Sequence, residues 1–443
     1  MENKSGSAAA LDERAERAKW FCEARFGMFI HWGLYAIPAR GEWVRGAERM
    51  ERDEYMRYFD EFAAERCDPR EWAALAKRAG MKYAVLTAKH HDGFCLWDTA
   101  LSDFKSTLAP ARRDFVAEFL EAFRAEGIRV GLYFSLIDWH HPDFPHFGDR
   151  HHPRRDDPAE GNEARDFERY LRFMHGQIRE LLTGYGRLDL MWFDFSYDDM
   201  SGEKWKAGEI MRMARELQPG MLVDNRLEAS GDTHGAILKA DPPESAGDFA
   251  CPEQIVPPEG LRNELGQAVP WEACITLNNN WGYHSGDRHW KDSSLVIRML
   301  AECVSKNGNL LLNVGPNARG KIPAESARIL GEVGRWMDGN GAAIYGCGSS
   351  GLEKPEWGRF TRRGRLLYAH VHEARAGGIC LAGMAGRIEK MRLLRDGSEL
   401  LPGRHWNLKP YPEHAFFFLN ADTLDNYPLP DPAGSVVEIT LRE

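Results

Sequence analysis

Side chains able to move protons or grip hydroxyl groups stand where apolar runs of this sequence end. Apart from Asp189, residues 188–193 are apolar and aromatic-rich and follow Gly184 and Gly186, so they read as a buried strand that delivers Asp194 at its carboxyl end. A carboxylate there is costly unless something needs it. In an α/β barrel the carboxyl ends of the strands face the substrate, so Asp194 reads as chemistry; the bland alternative is a loop or helix cap. His31 closes an earlier apolar run, with Glu42 and Trp43 soon after it. His90 and His91 follow the next run, Tyr133 lies near the end of a third, and Arg226 follows a fifth. Five consecutive strand ends thus turn polar or aromatic groups toward one rim.

Hydroxyl-rich rings are gripped by Trp faces, His, Arg and carboxylates, and that is the inventory here. Glycoside cleavage with retention needs one ionised carboxylate as nucleophile and one protonated carboxyl for the leaving oxygen, about 5 to 5.5 Å apart. Asp194 suits the first role. Glu244, Glu253 and Glu259, in a proline- and acid-rich stretch, are candidates for the second, with Glu228 as an outlier. A metal site is the rival chemistry, built from His90, His91 and Asp194 or from His140, His141, His146, His151 and His152. Adjacent histidines on a strand point to opposite faces, and the second cluster, flanked by Pro and Asp, reads as solvated, so no metal and no other cofactor is expected. No phosphate-binding, dinucleotide or nucleophile-elbow motif stands in a fitting context.

Short apolar runs at 26–32, 83–88, 128–135, 188–193, 221–224, 273–277 and 310–314 alternate with helical periodicity at 69–79, 115–125, 167–181, 205–217, 295–304 and 324–337. That alternation is the mark of repeated βα units, and close to eight strands predict an α/β fold of the (β/α)8 TIM-barrel type. Residues 240–260 lack periodicity and read as loop. Beyond about Gly346 strands occur without helices, at 366–371, 379–381, 390–394, 415–419 and 436–441, which predicts a C-terminal antiparallel β-sandwich. The expected division is an N-terminal extension at 1–17, helical or frayed, a catalytic barrel at 18–345 and the sandwich at 346–443.

The chain has 443 residues, 43% of them hydrophobic, with 14 Trp, enough for a large core and aromatic-lined clefts. A net charge of -10 disfavours nucleic acid and anionic membrane as partners. No apolar run is long enough to span a bilayer, and the first residues have no apolar signal segment. Eight scattered cysteines without a C-x-x-C pair read as reduced thiols, so the cytoplasm is the expected compartment.

Taken together and in order, Arg25-Phe-Gly-Met-Phe-Ile-His-Trp-Gly33, Thr87-Ala-Lys-His-His-Asp-Gly-Phe94, Gly131-Leu-Tyr-Phe-Ser135, Trp192-Phe-Asp194, Asp224-Asn-Arg226, Trp281-Gly-Tyr283 and Ser305-Lys-Asn-Gly-Asn-Leu-Leu-Leu-Asn-Val-Gly-Pro316 carry a resemblance. From about Trp20 to Gly346 the chain resembles the α-L-fucosidases of glycoside hydrolase family 29. The resemblance implies a retaining exo-glycosidase that releases terminal α-L-fucosyl residues from glycans or glycoconjugates through a covalent intermediate on Asp194. It points to Glu253 as acid/base, in a Cys251-Pro-Glu context where relatives often have Thr-Pro-Glu. Sugar contacts are implied at His31, Glu42, Trp43, His90, His91, Tyr133, Trp192 and Arg226. The sequence departs from the family pattern after Asp194, where Phe195-Ser-Tyr-Asp-Asp199 replaces the more familiar glycine and introduces Asp198 and Asp199 as rival carboxylates. A galactoside-like retaining glycosidase and an inactive fucose-binding protein are the competing readings. A homo-oligomer is compatible with this one, since loops of neighbouring subunits can complete such a cleft.

Overall fold

The short apolar runs form strands buried along nearly their whole length: β1 (Phe26–Ile30), β2 (Tyr83–Lys89), β3 (Arg129–Ser135), β4 (Leu190–Asp194), β5 (Leu222–Val223), β6 (Glu272–Thr276) and β7 (Asn309–Val314). The structure, a computed structural model, describes residues 2–197, 199–231, 233–420 and 426–442. The seven strands pair in the order β5-β4-β3-β2-β1-β7-β6, every pair parallel. Burial on both faces is what a parallel sheet inside a shell of helices requires. Four of those helices begin on an aspartate whose carboxylate accepts a hydrogen bond from a backbone N–H of the first turn: Asp68, Asp114, Asp166 and Asp292.

Among the described residues the ring has seven regular strands, where close to eight were expected. Its remaining gap, between β5 and β6, is filled by residues 249–253, which lie in the stretch read as loop. They make single parallel bridges, Asp224 to Phe249, Ala250 to Trp271 and Glu253 to Cys274. Backbone bonds from Asp248 N to Val223 O (2.7 Å) and from Cys274 N to Pro252 O (3.1 Å) fasten both sides. Pro252 has no N–H to contribute to a ladder, which explains why this position closes the barrel without becoming a strand. The segment also carries Glu253.

Side chains inside the barrel follow the two-residue period of the strands: Phe29, Val85, Tyr133, Leu190, Trp192, Leu222, Cys274 and Leu311 form one buried cluster. The helix Glu2–Ala24 continues well past the expected extension and joins that cluster through Ala18, Phe21 and Ala24. The Phe21 ring lies 5.5 Å from Tyr83 and 4.7 Å from Phe249, so the helix stoppers one end of the barrel. At the other end the same parity carries Phe29 to His31 and Trp192 to Asp194.

The C-terminal strands form a six-stranded antiparallel sheet plus a ribbon of Ile379–Leu381 with Ala415–Phe417. Gly348–Ser349 and Gly358–Arg363 belong to that sheet as well, although their short or charged sequences carry little strand signal. A second buried core of Trp357, Leu367, Val371, Leu381, Phe417 and Ile439 lies between these layers. On that separation of cores we propose the division near residue 346.

Candidate active site

Asp194 ends β4 on the inward parity, and its side chain is 16% exposed. One carboxylate oxygen accepts from Tyr133 Oη (2.8 Å) and the other from Arg226 Nη1 (3.2 Å). The second guanidinium nitrogen of Arg226 donates to Glu253 Oε2 (3.1 Å) and to Cys251 O (3.0 Å). A single planar guanidinium, stacked 5.0 Å over the Trp192 ring, therefore spans both carboxylates. Gly231 leaves room for this: a Cβ there would come within 2.8 Å of Glu253 Oε2.

Around this pair lies a cavity of about 240 Å³, lined by His31, Trp43, His90, His91, Tyr133, Trp192, Asp194, Arg226 and Glu253, together with further aromatic side chains. Its size suits one small ring rather than a drug-sized ligand. His31 Nδ1 pairs with Asn313 Oδ1 (2.7 Å) and His91 Nδ1 with Ser135 Oγ (2.8 Å), which leaves the Nε2 atoms for other partners. Glu42, the remaining expected sugar contact, is buried outside the cavity lining, and its carboxylate accepts from the Gly282 backbone N–H (2.7 Å) beside Trp281.

Burial governs the charges here. It pushes the Asp194 carboxyl above the ordinary range, against the pull of Arg226, and the negative charge of Glu253 adds to the rise. Glu42 is pushed up to about 7 by the same loss of water. His31 falls to about 3, and His90 and His91 fall well below their ordinary value, so all three imidazoles are neutral at physiological pH. Burial opposes the charge of Arg226, yet Asp194 and Glu253 outweigh it and hold the guanidinium protonated. The result is a fixed cation between two carboxylates, ringed by uncharged hydrogen-bonding groups.

Several expectations need correction. His90 and His91 do not point to opposite faces: their rings are 4.1 Å apart and both line the cavity. They lie beyond the end of β2, after a register shift between Thr87 and Lys89, where strand alternation no longer applies. The histidine-rich loop is not solvated: His146 and His152 are buried, and His151 lines the cavity. Among the described residues no group of three His, Cys, Asp or Glu side chains is arranged to hold a metal ion. Of the rival acids, Glu244 is half exposed and pairs with Arg215 (3.0 Å), Glu259 is exposed, and Glu228 accepts from Ser245; none lines the cavity. Asp199 is exposed, and Asp198 lies outside the described residues.

Sequence reasoning missed an aromatic wall. Phe195 sits at φ 87°, a left-handed conformation that favours glycine, and its ring contacts His91 (4.5 Å), Tyr197 (4.7 Å), Trp43 (5.5 Å) and His151 (5.5 Å). Trp281, 5.0 Å from His31, forms the opposite side. The signal for Phe195 was the departure from glycine at that position. His151 was singled out only as a metal-ligand candidate; its place in this wall had no local signal, because its loop arrives from another part of the chain.

The family model for alpha-L-fucosidases matches residues 2–342. The tissue alpha-L-fucosidase of Homo sapiens is 31% identical over 394 residues, covering 81% of this chain and 76% of that protein. The solved structure of alpha-L-fucosidase isoenzyme 1 from Paenibacillus thiaminolyticus is 56% identical, with a TM-score of 0.93, and covers 97% of this chain and 100% of its own. A family 29 alpha-L-fucosidase from Bacteroides thetaiotaomicron, solved as a trapped covalent intermediate with 2-fluoro-fucosyl fluoride, is 28% identical with a TM-score of 0.80, and covers 97% of this chain and 96% of its own.

Proposed function

Because this chain belongs to the alpha-L-fucosidase family and is a retaining α-L-fucosidase, we propose that Asp194 is its nucleophile and Glu253 its acid/base. The observation that carries this is the guanidinium of Arg226, hydrogen-bonded to one oxygen of each carboxylate inside a ring-sized cavity. In the first half-reaction an Asp194 oxygen bonds to the anomeric carbon as the bond to the leaving oxygen breaks, and Glu253 gives that oxygen its proton. Ester formation removes the negative charge of Asp194, so Arg226 is left with Glu253 alone. In the second half Glu253 takes a proton from water, the water oxygen attacks the anomeric carbon, and Asp194 leaves as carboxylate. Tyr133 donates to the Asp194 oxygen that Arg226 does not hold, which fixes the attacking group in one rotamer.

The neutral histidines His31, His90 and His91 and the indoles of Trp43 and Trp192 supply the grip on the ring. Aromatic faces against the C5 methyl separate L-fucose from L-galactose by about 1 to 3 kcal/mol, so an aryl α-L-galactoside should turn over about 10- to 200-fold more slowly. Unpaired cysteines throughout the chain support a reducing compartment, the cytoplasm.

Asp194→Gly should abolish turnover of an aryl fucoside, with partial rescue by azide; undiminished activity would remove Asp194 from the role. Glu253→Ala should slow poor leaving groups far more than activated ones, and equal losses would exclude it as proton donor. Trapping with a fluorinated fucosyl donor, followed by peptide mapping, should label Asp194.

A further inference from the structure

Glu272, the first residue of β6, is fully buried one layer beneath the cavity and does not line it. Its Oε1 accepts from Trp192 Nε1 (2.8 Å) and its Oε2 from Tyr83 Oη (2.7 Å). The Trp192 ring above it is stacked on Tyr133 at 5.7 Å and carries the Arg226 guanidinium on its face. On the other side, Glu272 N donates to Ala250 O (3.0 Å), which ties the same residue to the closing segment that bears Glu253. A carboxyl in the interior of a barrel is expensive, and burial pushes this one up to about 7 despite its two hydrogen bonds. Arg226 is the cation whose charge it feels, across the indole. An apolar residue would fill that volume at lower cost, so the position needs an acceptor that faces two donors at once.

We propose that Glu272 is a positioning residue for the fucosidase reaction: by holding the Trp192 indole through its N–H, it sets the platform on which Arg226 spans Asp194 and Glu253. The chain of contacts runs Glu272 to Trp192, Trp192 to Arg226, and Arg226 to the two carboxylates. Glu272 itself moves no proton to substrate, because the Trp192 ring separates it from the cavity. The proposal rests on the assignment of Asp194 and Glu253, and the two fail differently. Absence of label on Asp194 in the trapping experiment would end that assignment, whereas the tests below use variants that leave both carboxylates in place.

The experiment is a functional double-mutant cycle read as kcat/KM on aryl fucosides with good and poor leaving groups. Glu272→Gln keeps the size and an acceptor oxygen for the indole, so it should lose about tenfold. Glu272→Leu removes the acceptor and should lose about a hundredfold, mainly in kcat, as expected when catalytic groups drift by a fraction of their contact distance. Both losses should be equal for good and poor leaving groups. Trp192→Phe removes the donor, and the double variant Trp192→Phe with Glu272→Gln should be no slower than Trp192→Phe alone. Losses that multiply in the double variant, activity within twofold of the parent for Glu272→Leu, or a loss confined to poor leaving groups would each overturn the proposal. Glu272→Gln is the variant expected to fold like the parent, so failure of Glu272→Leu to fold still leaves the cycle decisive.

Discussion

Arg226 donates to two different carboxylates through two nitrogens of one rigid plane, and a lysine cannot copy that. Arg226→Lys keeps the charge but supplies a single point of contact. It should lower kcat/KM for an aryl fucoside by at least about a hundredfold, the scale of losing one preorganised electrostatic contact. Steady-state kinetics on the purified variant would check it, and a change below about threefold would show that charge alone suffices. Phe195 shows how a local departure in sequence acquires meaning. A side chain in a glycine-like conformation is strained, and its four aromatic neighbours are what hold it there.

At the scale of elements, the closing segment 249–253 matters most, because it is joined to its neighbours by isolated bridges rather than a continuous ladder and yet must place Glu253. Its anchor is Asp248, whose fully buried side chain accepts from Arg17 Nη2 (3.0 Å), Arg215 Nη2 (2.8 Å) and Val223 N (2.9 Å). Asp248→Ala leaves two partly buried guanidinium groups without their shared partner, so it should cost about 3 to 5 kcal/mol. Denaturant unfolding would measure that loss, and a value below about 1 kcal/mol would show that the segment is held by its backbone bonds instead. The helices ask less of context. Their apolar stripes are local, which is why periodicity alone indicates where they lie, and the aspartate caps then fix where each begins.

For the whole molecule, buried titratable groups set the response to pH. His31, His152 and His370 fall to about 3 and His372 to about 4, each because burial penalises the imidazolium. An unfolded histidine titrates near 6.5, so these groups contribute full stability above about pH 6.5 and lose it as the pH falls below that value. Glu42 and Glu272, both pushed up to about 7, and Asp92, Asp194 and Asp224, also raised by burial, act in the opposite sense, but the neutral imidazoles, which include His90, His91 and His140 as well, are more numerous. The thermal unfolding midpoint should therefore fall between pH 7 and pH 5. A midpoint that rises over that interval would mean that the buried carboxyls dominate.

The sequence by itself determined the strands of the barrel, the rim on which His31, His90, His91, Tyr133, Asp194 and Arg226 meet, and the all-β C-terminal region, because hydrophobic period and capping chemistry are local properties. It also pointed to Asp194, since a carboxylate set directly after a buried run loses solvation that only a specific role there offsets. Only the tertiary structure decided that residues 249–253 close the ring, that His151 and Phe195 wall the cavity, and that Glu272 lies beneath Trp192. Those facts depend on which distant segments come to share a few ångströms of space, and no period or spacing along a single chain encodes that distance.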